Sequence, residues 1–399
     1  MIQRILPEFP AQRRCPFHPP DEYAQAQREQ PVCRIRLASG RDAVLVTRYD
    51  DVRAALEDER LSADETVPGY PFLYEGAFES PLKGTFMRMD GEPHLRVRRM
   101  LAKDFTVKRI EGLRTHLEAI VDDCLTAMAG RRPPLDLVQE LAFPVPSRTI
   151  CHLLGVPYRD RDVFERNTRA MINHRSTREE VQTAVAAVYG YLDSLVAAKQ
   201  AAPDDDLISR LVQEELATGR VERHELVTIV LILLVGGHET TATMIGLGTF
   251  ALLEHRARLD ELLREQALWG RAIDELLRHQ TIAQSPMQRV ALSDLEIGGE
   301  RIRAGEGVVL DLAIANRDPA AFPDPDRLDF HRNARGHLAF SYGPHQCLGQ
   351  TLARLELEVV FRGLFARFPT LALAVPRDEV PVRPHNVGLF GVEALPVTW

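Results

Sequence analysis

The sequence is poor in paired cysteine. Its five cysteines, Cys15, Cys33, Cys124, Cys151 and Cys347, are odd in number and widely spread, and no C-x-x-C occurs. A zinc ribbon, a redox dithiol and a C-x-x-C-H attachment site are thereby excluded, and a reducing cytoplasm is the expected compartment. Positive charge is also in deficit: 49 Lys and Arg against 57 Asp and Glu leave a formal charge of −8. No nucleic acid is expected as a partner, since neutralising phosphates takes a basic surface. Met1 to Pro20 holds Arg4, Glu8, Arg13, Arg14 and several prolines, without the apolar core of a signal peptide. Internal repeats, low-complexity tracts and free linkers are absent as well.

What is present is a large apolar fraction, 45% of 399 residues, enough for a sizeable core. The longest apolar run, Leu226 to Leu253, would span about 42 Å as a helix. His238 and Glu239 at its middle are costly in lipid, so we read it as a buried helix of a protein with no membrane anchor. Cys33 to Leu37 and Ala43 to Thr47 flank Ser39-Gly40-Arg41-Asp42 as a hairpin, and Asp50 to Glu57 forms a short helix. Ser62 to Gly84 is an irregular loop, of the kind that carries function. Helical patterns dominate from His94 through Phe164, then over Glu179 to Lys199, Leu207 to Glu215, Leu259 to Ala267 and Ile273 to His279. Short strands are expected at Gln288 to Leu292 and Glu296 to Ile302. The fold class is mainly α with a minor β-sheet region.

The densest signal is Phe340-Ser341-Tyr342-Gly343-Pro344-His345-Gln346-Cys347-Leu348-Gly349. The apolar positions Leu352, Leu355, Val359 and Val360 put Cys347 just before a helix, where free backbone N–H groups of residues 348–350 favour a thiolate. Gly343 permits a tight turn, Gly349 permits close approach of a flat ligand, and Phe340 would pack against sulfur. A buried structural cysteine explains none of these neighbours together.

Val235-Gly236-Gly237-His238-Glu239-Thr240-Thr241 sets two glycines and a polar cluster within the long apolar run. Each glycine costs about 1 kcal/mol relative to Ala in a helix. Thr240 can bond the carbonyl of Gly236, four residues back, and open the helix to water. His238-Glu239 begins like an H-E-x-x-H zinc site, but Ala242 stands where the second histidine belongs. His94 and Arg98 share a helical face. Glu275 and Arg278 form an ordinary i,i+3 pair.

The stretch around Cys347 resembles the haem-ligand signature of the cytochrome P-450 superfamily, and residues 235–241 resemble its oxygen-binding helix. The resemblance runs the length of the chain. Cys15-Pro16-Phe17-His18-Pro19-Pro20 and the tail Leu395-Pro396-Val397-Thr398-Trp399 resemble the soluble actinomycete branch. It implies one haem domain over residues 1–399, with haem b between the long central helix and the helix after Cys347. Cys347 would be the thiolate and metal ligand, beside Phe340 and Gly349. His94, Arg98, Arg289 and His345 would hold the propionates. Thr240 and Glu239 would be the catalytic pair, Thr240 steadying dioxygen and a water and Glu239 relaying protons. Glu275, Arg278 and a later arginine, matched to Arg327, would support the cysteine loop.

The implied activity is a monooxygenase that hydroxylates or epoxidises a hydrophobic small molecule, a secondary metabolite or xenobiotic. Its electrons would come from a ferredoxin and an NAD(P)H-dependent ferredoxin reductase, since no flavin or iron–sulfur motif is left over. Arg99, Lys103, Arg332, Arg335 and Arg354 are the expected docking cations. By family position the pocket draws on Ser62 to Gly84, Met171 to Ser176, Val235, Ala283 to Met287 and Asn386 to Phe390. Phe72, Leu73, Phe78, Leu389 and Phe390 there would suit a lipophilic ligand. A haem carrier or sensor without turnover is the alternative, and it has no use for Glu239 and Thr240. A haem-free partner protein has no use for Cys347.

Overall fold

The structure, a computed structural model, describes residues 9, 13, 15–73, 84–172, 176–283, 286–383 and 388–399. The chain forms two compact units, Met1–Ala102 with Ala257–Gln350, and Lys103–Arg256 with Thr351–Trp399.

The first unit is built on a five-stranded sheet. Val32–Arg36 and Asp42–Val46 form the expected antiparallel hairpin, with Val32 opposite Val46. Asp42–Val46 then pairs in parallel with Gly307–Leu310, which pairs antiparallel with Met287–Ala291, and Leu61–Ser62 closes the edge. Strand period sends alternate side chains to opposite faces. Val44, Val46, Val308 and Leu310 therefore pack with Val52, Leu56 and Leu61 on one side. Leu45 and Val309 pack with Phe9, Tyr23, Ile35 and Leu73 on the other. Both faces are covered, so these strands read as continuous apolar runs. The region Glu296 to Ile302 is a hairpin of its own, Leu295–Ile297 against Glu300–Ile302. Gly298 and Gly299 turn it with φ of 57° and 84°, the left-handed pair that two-residue hairpin loops require.

The Trp269–Gln280 helix of this unit carries Glu275 and Arg278. Both are fully buried, and Arg278 donates to Glu275 at 2.7 and 2.8 Å. The arginine that joins them is Arg332, whose Nε lies 3.2 Å from Glu275 Oε1. Arg327 was the wrong match: it is 58% exposed and faces Asp329 at 3.7 Å. The reason is a turn closed by Arg327 N–H to Asp324 and Arg332 N–H to Asp329, which also aims the Asp329 amide at Glu275, 3.0 Å away.

The second unit is organised by one helix, Arg223–Glu254, apolar round its circumference and buried over most of its length, with Val235 to Gly237 and Thr240 its more open stretch. Pro144–Leu154 and Arg178–Ala201 pack along it. Gln350–Arg367 crosses it closely: a Cβ on Gly248 would come 2.7 Å from the Phe361 ring. A capping box between Thr177 and Glu180 starts the Arg178–Ala201 helix. Leu135–Asp136, Pro396–Thr398 and Ala372–Leu373 form a small antiparallel sheet. By length and composition alone, Arg178–Ala201 and Arg223–Glu254 could each cross a membrane; for the latter, 72% of the apolar window is buried inside the protein.

Candidate functional site

In the first unit the loop before Gln350 is folded back tightly. Cys347 N–H donates to the Phe340 carbonyl at 2.8 Å and Gln346 N–H to Gly343 at 3.0 Å. Gly343 sits at φ 69°, and a Cβ there would lie 2.8 Å from the Leu56 carbonyl oxygen; both facts demand glycine. Ser341 adopts φ 60° without being glycine. Cys347 is exposed while Cys33, Cys124 and Cys151 are buried. Open space lies where a Cβ on Gly349 would point. Phe340 is half-buried, with its ring 5.6 Å from that of His337. The Gln350–Arg367 helix begins three residues after the cysteine.

Around this loop the structure gathers the four expected basic residues of the same unit. His94 and Arg98 lie one turn apart on Gly91–Ala102. The His94 ring stacks on that of His345 with centroids 4.1 Å apart. His345 Nε2 is 3.5 Å from Asp90 Oδ1. Arg289, on Met287–Ala291, is 4% exposed and donates to the Gln288 carbonyl at 2.8 Å; no carboxylate is within ion-pair range of it among the described residues.

All four basic groups are pushed toward loss of charge. Burial, then His345 and Arg98, brings His94 down to about 4. Burial lowers Arg289 and His345 as well. It lowers Arg98 too, against the opposing pull of Cys347. Asp90, with bonds from His345, Ser62 and Ala63, sits well below the ordinary carboxylate range despite its burial. Four desolvated basic groups with Asp90 as their one nearby carboxylate among the described residues would regain charge beside further anions. The two propionates of a haem beside an exposed cysteine have that chemistry, so the residues fit the group.

In the second unit the helix runs unbroken through Val235 to Thr241. Thr240 Oγ1 donates to the Gly236 carbonyl at 2.8 Å, the expected back-bond. The helix does not open around it. The two glycines serve different ends: a Cβ on Gly237 would strike Ile150 at 2.6 Å, whereas one on Gly236 would meet open space. Glu239 is 1% exposed and its Oε2 is 3.5 Å from Arg383 Nη2.

Sequence reasoning missed Arg383, which no local pattern marks. It is brought to the helix by an antiparallel bridge of Val382 with Val392, beside which its N–H donates to the Gly391 carbonyl at 2.8 Å. Gly391 is seated on Thr243, where a Cβ would meet the threonine methyl at 2.5 Å.

Other expectations fare unevenly. Leu73 and Phe72 are core residues, and Phe78, with the rest of 74–83, lies outside the described residues. So do 173–175, 284–285 and 386–387 of the expected pocket segments. Among the docking cations, Arg332 is committed to Glu275, Arg99 pairs with Glu92 and Lys103 with Glu214.

A family model for cytochrome P-450 matches residues 167–389. Pentalenic acid synthase of Streptomyces avermitilis is 45% identical over 98% of this chain and 97% of its own length. Vitamin D3 dihydroxylase of Streptomyces griseolus is 43% identical over 98% and 97%. The solved structure of GfsF, named as a cytochrome P-450 of Streptomyces halstedii, superposes with a TM-score of 0.93 at 44% identity, over 99% of this chain and 100% of that one. The chain thus belongs to the cytochrome P-450 family and is a monooxygenase that binds haem b through a cysteine thiolate.

Proposed function

We propose that this monooxygenase is a single cytoplasmic haem domain over residues 1–399 that hydroxylates or epoxidises a lipophilic secondary metabolite or xenobiotic, with electrons from a ferredoxin and its NAD(P)H-dependent reductase. Cys347 would hold the haem, which when bound would supply the redox chemistry that activates dioxygen. His94, Arg98, Arg289 and His345 hold its propionates. The observation that supports this most is the cluster of these four desolvated bases around the carboxylate of Asp90.

In the second unit the residues divide the proton work. Thr240 spends its own hydrogen on the Gly236 carbonyl, so its oxygen faces the open side as an acceptor that orients a water or a protonated donor. Glu239 holds the proton to be delivered, and Arg383 fixes its Oε2, leaving Oε1 as the working atom. The relatives' names support a small-molecule substrate: pentalenic acid synthase, vitamin D3 dihydroxylase and the mycinamicin VIII C21 methyl hydroxylase of Micromonospora griseorubida are each named for a small molecule that they make or hydroxylate.

A carbon monoxide difference spectrum of the reduced protein tests the ligand. Cys347→Ser should abolish the thiolate form, and an imidazole-type spectrum from the wild type would overturn the assignment. Thr240→Ala should keep ligand-induced spin shifts across a compound library yet divert reducing equivalents to peroxide. Full coupling in that variant would refute the role of Thr240.

A further inference from the structure

The catalytic reading leaves His238 unused. Its ring is fully buried, wedged between the edges of Phe143 and Phe164 at 6.1 and 6.0 Å. Each ring nitrogen has a defined neighbour. Nδ1 lies 2.7 Å from the Leu234 carbonyl. Nε2 lies 3.1 Å from Thr168 Oγ1 and 4.0 Å from Glu239 Oε1.

A carbonyl only accepts, so Nδ1 carries a hydrogen in every protonation state. Proton exchange is therefore confined to Nε2. In the neutral ring that nitrogen accepts from the Thr168 hydroxyl; in the cation it donates, with Thr168 and Glu239 before it. The carboxylate oxygen on that side, Glu239 Oε1, is buried and has no hydrogen-bond partner among the described residues. Such an oxygen is costly in a protein interior. Its orientation toward a histidine nitrogen gives that cost a use.

We propose that His238 is the inner donor that reloads Glu239 with a proton after each delivery. The Nε2–H bond of the imidazolium breaks and an O–H bond forms at Glu239 Oε1, leaving neutral imidazole and carboxylic acid. Rotation of the carboxyl group about its Arg383 contact closes the gap. The imidazole then regains a proton at Nε2 from the Thr168 hydroxyl, which takes one in the same step from a hydronium ion that reaches this buried side chain on local opening and leaves as water. The charged and titratable groups facing this pair are few. Arg383 comes from beside the bridge of Val382 with Val392. Arg169, on the same helix as Thr168, lies 4.1 Å from the Phe143 ring centroid. Glu165, also on that helix, offers its backbone carbonyl to Thr168 at 3.3 Å, its carboxylate being taken by Ser147.

The inference rests on Glu239 being the delivering acid. The first test needs no turnover: nitrogen NMR of the histidine-labelled, reduced, carbon monoxide-bound holoenzyme. The His238 signals, assigned by their loss in His238→Gln, should show hydrogen on Nδ1 and should shift in both Glu239→Gln and Thr168→Val. Hydrogen on Nε2 alone, or signals indifferent to both variants, overturns the proposal. In turnover, His238→Gln should lower the ratio of product to peroxide by about tenfold.

Thr168→Val removes one hydroxyl at constant volume and should act in the same direction, which keeps the test alive if His238→Gln folds poorly. Wild-type ratios in these variants, with Glu239→Gln uncoupled, defeat the role of His238 alone. Full coupling in Glu239→Gln instead defeats the reading of Glu239 beneath it.

Discussion

Two arginines five residues apart, Arg327 and Arg332, make opposite demands on the fold, and replacing each by Met separates them. Arg332 is 10% exposed, and its Nε meets the fully buried Glu275 carboxylate at 3.2 Å. Its Nη2 donates to the Asp324 carbonyl at 3.0 Å and its Nη1 to that of Pro323. A hydrogen bond to a buried charge contributes about 1.5–3 kcal/mol, whereas the two carbonyls regain water when the arginine goes.

Glu275 keeps its bidentate partner Arg278 and the Asp329 amide. The loss therefore stays below the roughly 3–5 kcal/mol of a fully orphaned buried charge. We expect about 2–3 kcal/mol for Arg332→Met. Arg327, at 58% exposure and 3.7 Å from Asp329, should cost about 0–1 kcal/mol. Equilibrium urea unfolding followed by circular dichroism reads the difference, and the carbon monoxide spectrum reports whether the cysteine loop keeps its ligand geometry. Equal destabilisation by the two variants would show that the Glu275 network is not what Arg332 supports.

Glu356 is fully buried on Gln350–Arg367, and burial raises its carboxyl to about 8, offset in part by the neighbouring hydroxyls of Thr241 and Thr149. The unfolded chain ionises it near 4.5 while the folded chain holds the proton. Wild-type stability therefore falls between those values by an amount on the order of 4–5 kcal/mol. Glu356→Gln should remove that slope, matching the wild type at pH 4 and exceeding it at pH 8; parallel stability curves would refute the assignment. Ser341→Gly should stabilise by about 1 kcal/mol, because it relieves a left-handed residue whose hydroxyl is also buried and unpartnered. No gain in the urea midpoint would mean that this loop bears no backbone strain. Charge reversal at the exposed Arg335 should slow salt-sensitive reduction by an acidic ferredoxin while leaving substrate spin shifts unchanged, and unaltered reduction kinetics would remove it from the docking surface.

The parts of this molecule that could be read in one dimension are those whose physics is local. Glycine at the positive-φ turn of residue 343, a cysteine ahead of a helix, a threonine bonding back four residues and a two-strand hairpin each depend on neighbours within a turn or two. Each stands in the structure where the pattern put it. The residues misread or missed depend on closures across sequence. Arg332 reaches Glu275 only because a turn of residues 324–332 presents it and hides its charge, so a pattern of charges mistook a structural cation for a docking one. Arg383 reaches Glu239 only through a bridged segment seated on Thr243. His238 finds Thr168 only where two helices meet. Arg383 and His238 both neighbour the same buried acid, and the apolar run of the helix that carries Glu239 says nothing about what its few polar groups face. A buried carboxylate must be supplied with partners from somewhere. Glu239 could be flagged from its own position in that run, but the identity of its partners was settled only by tertiary packing.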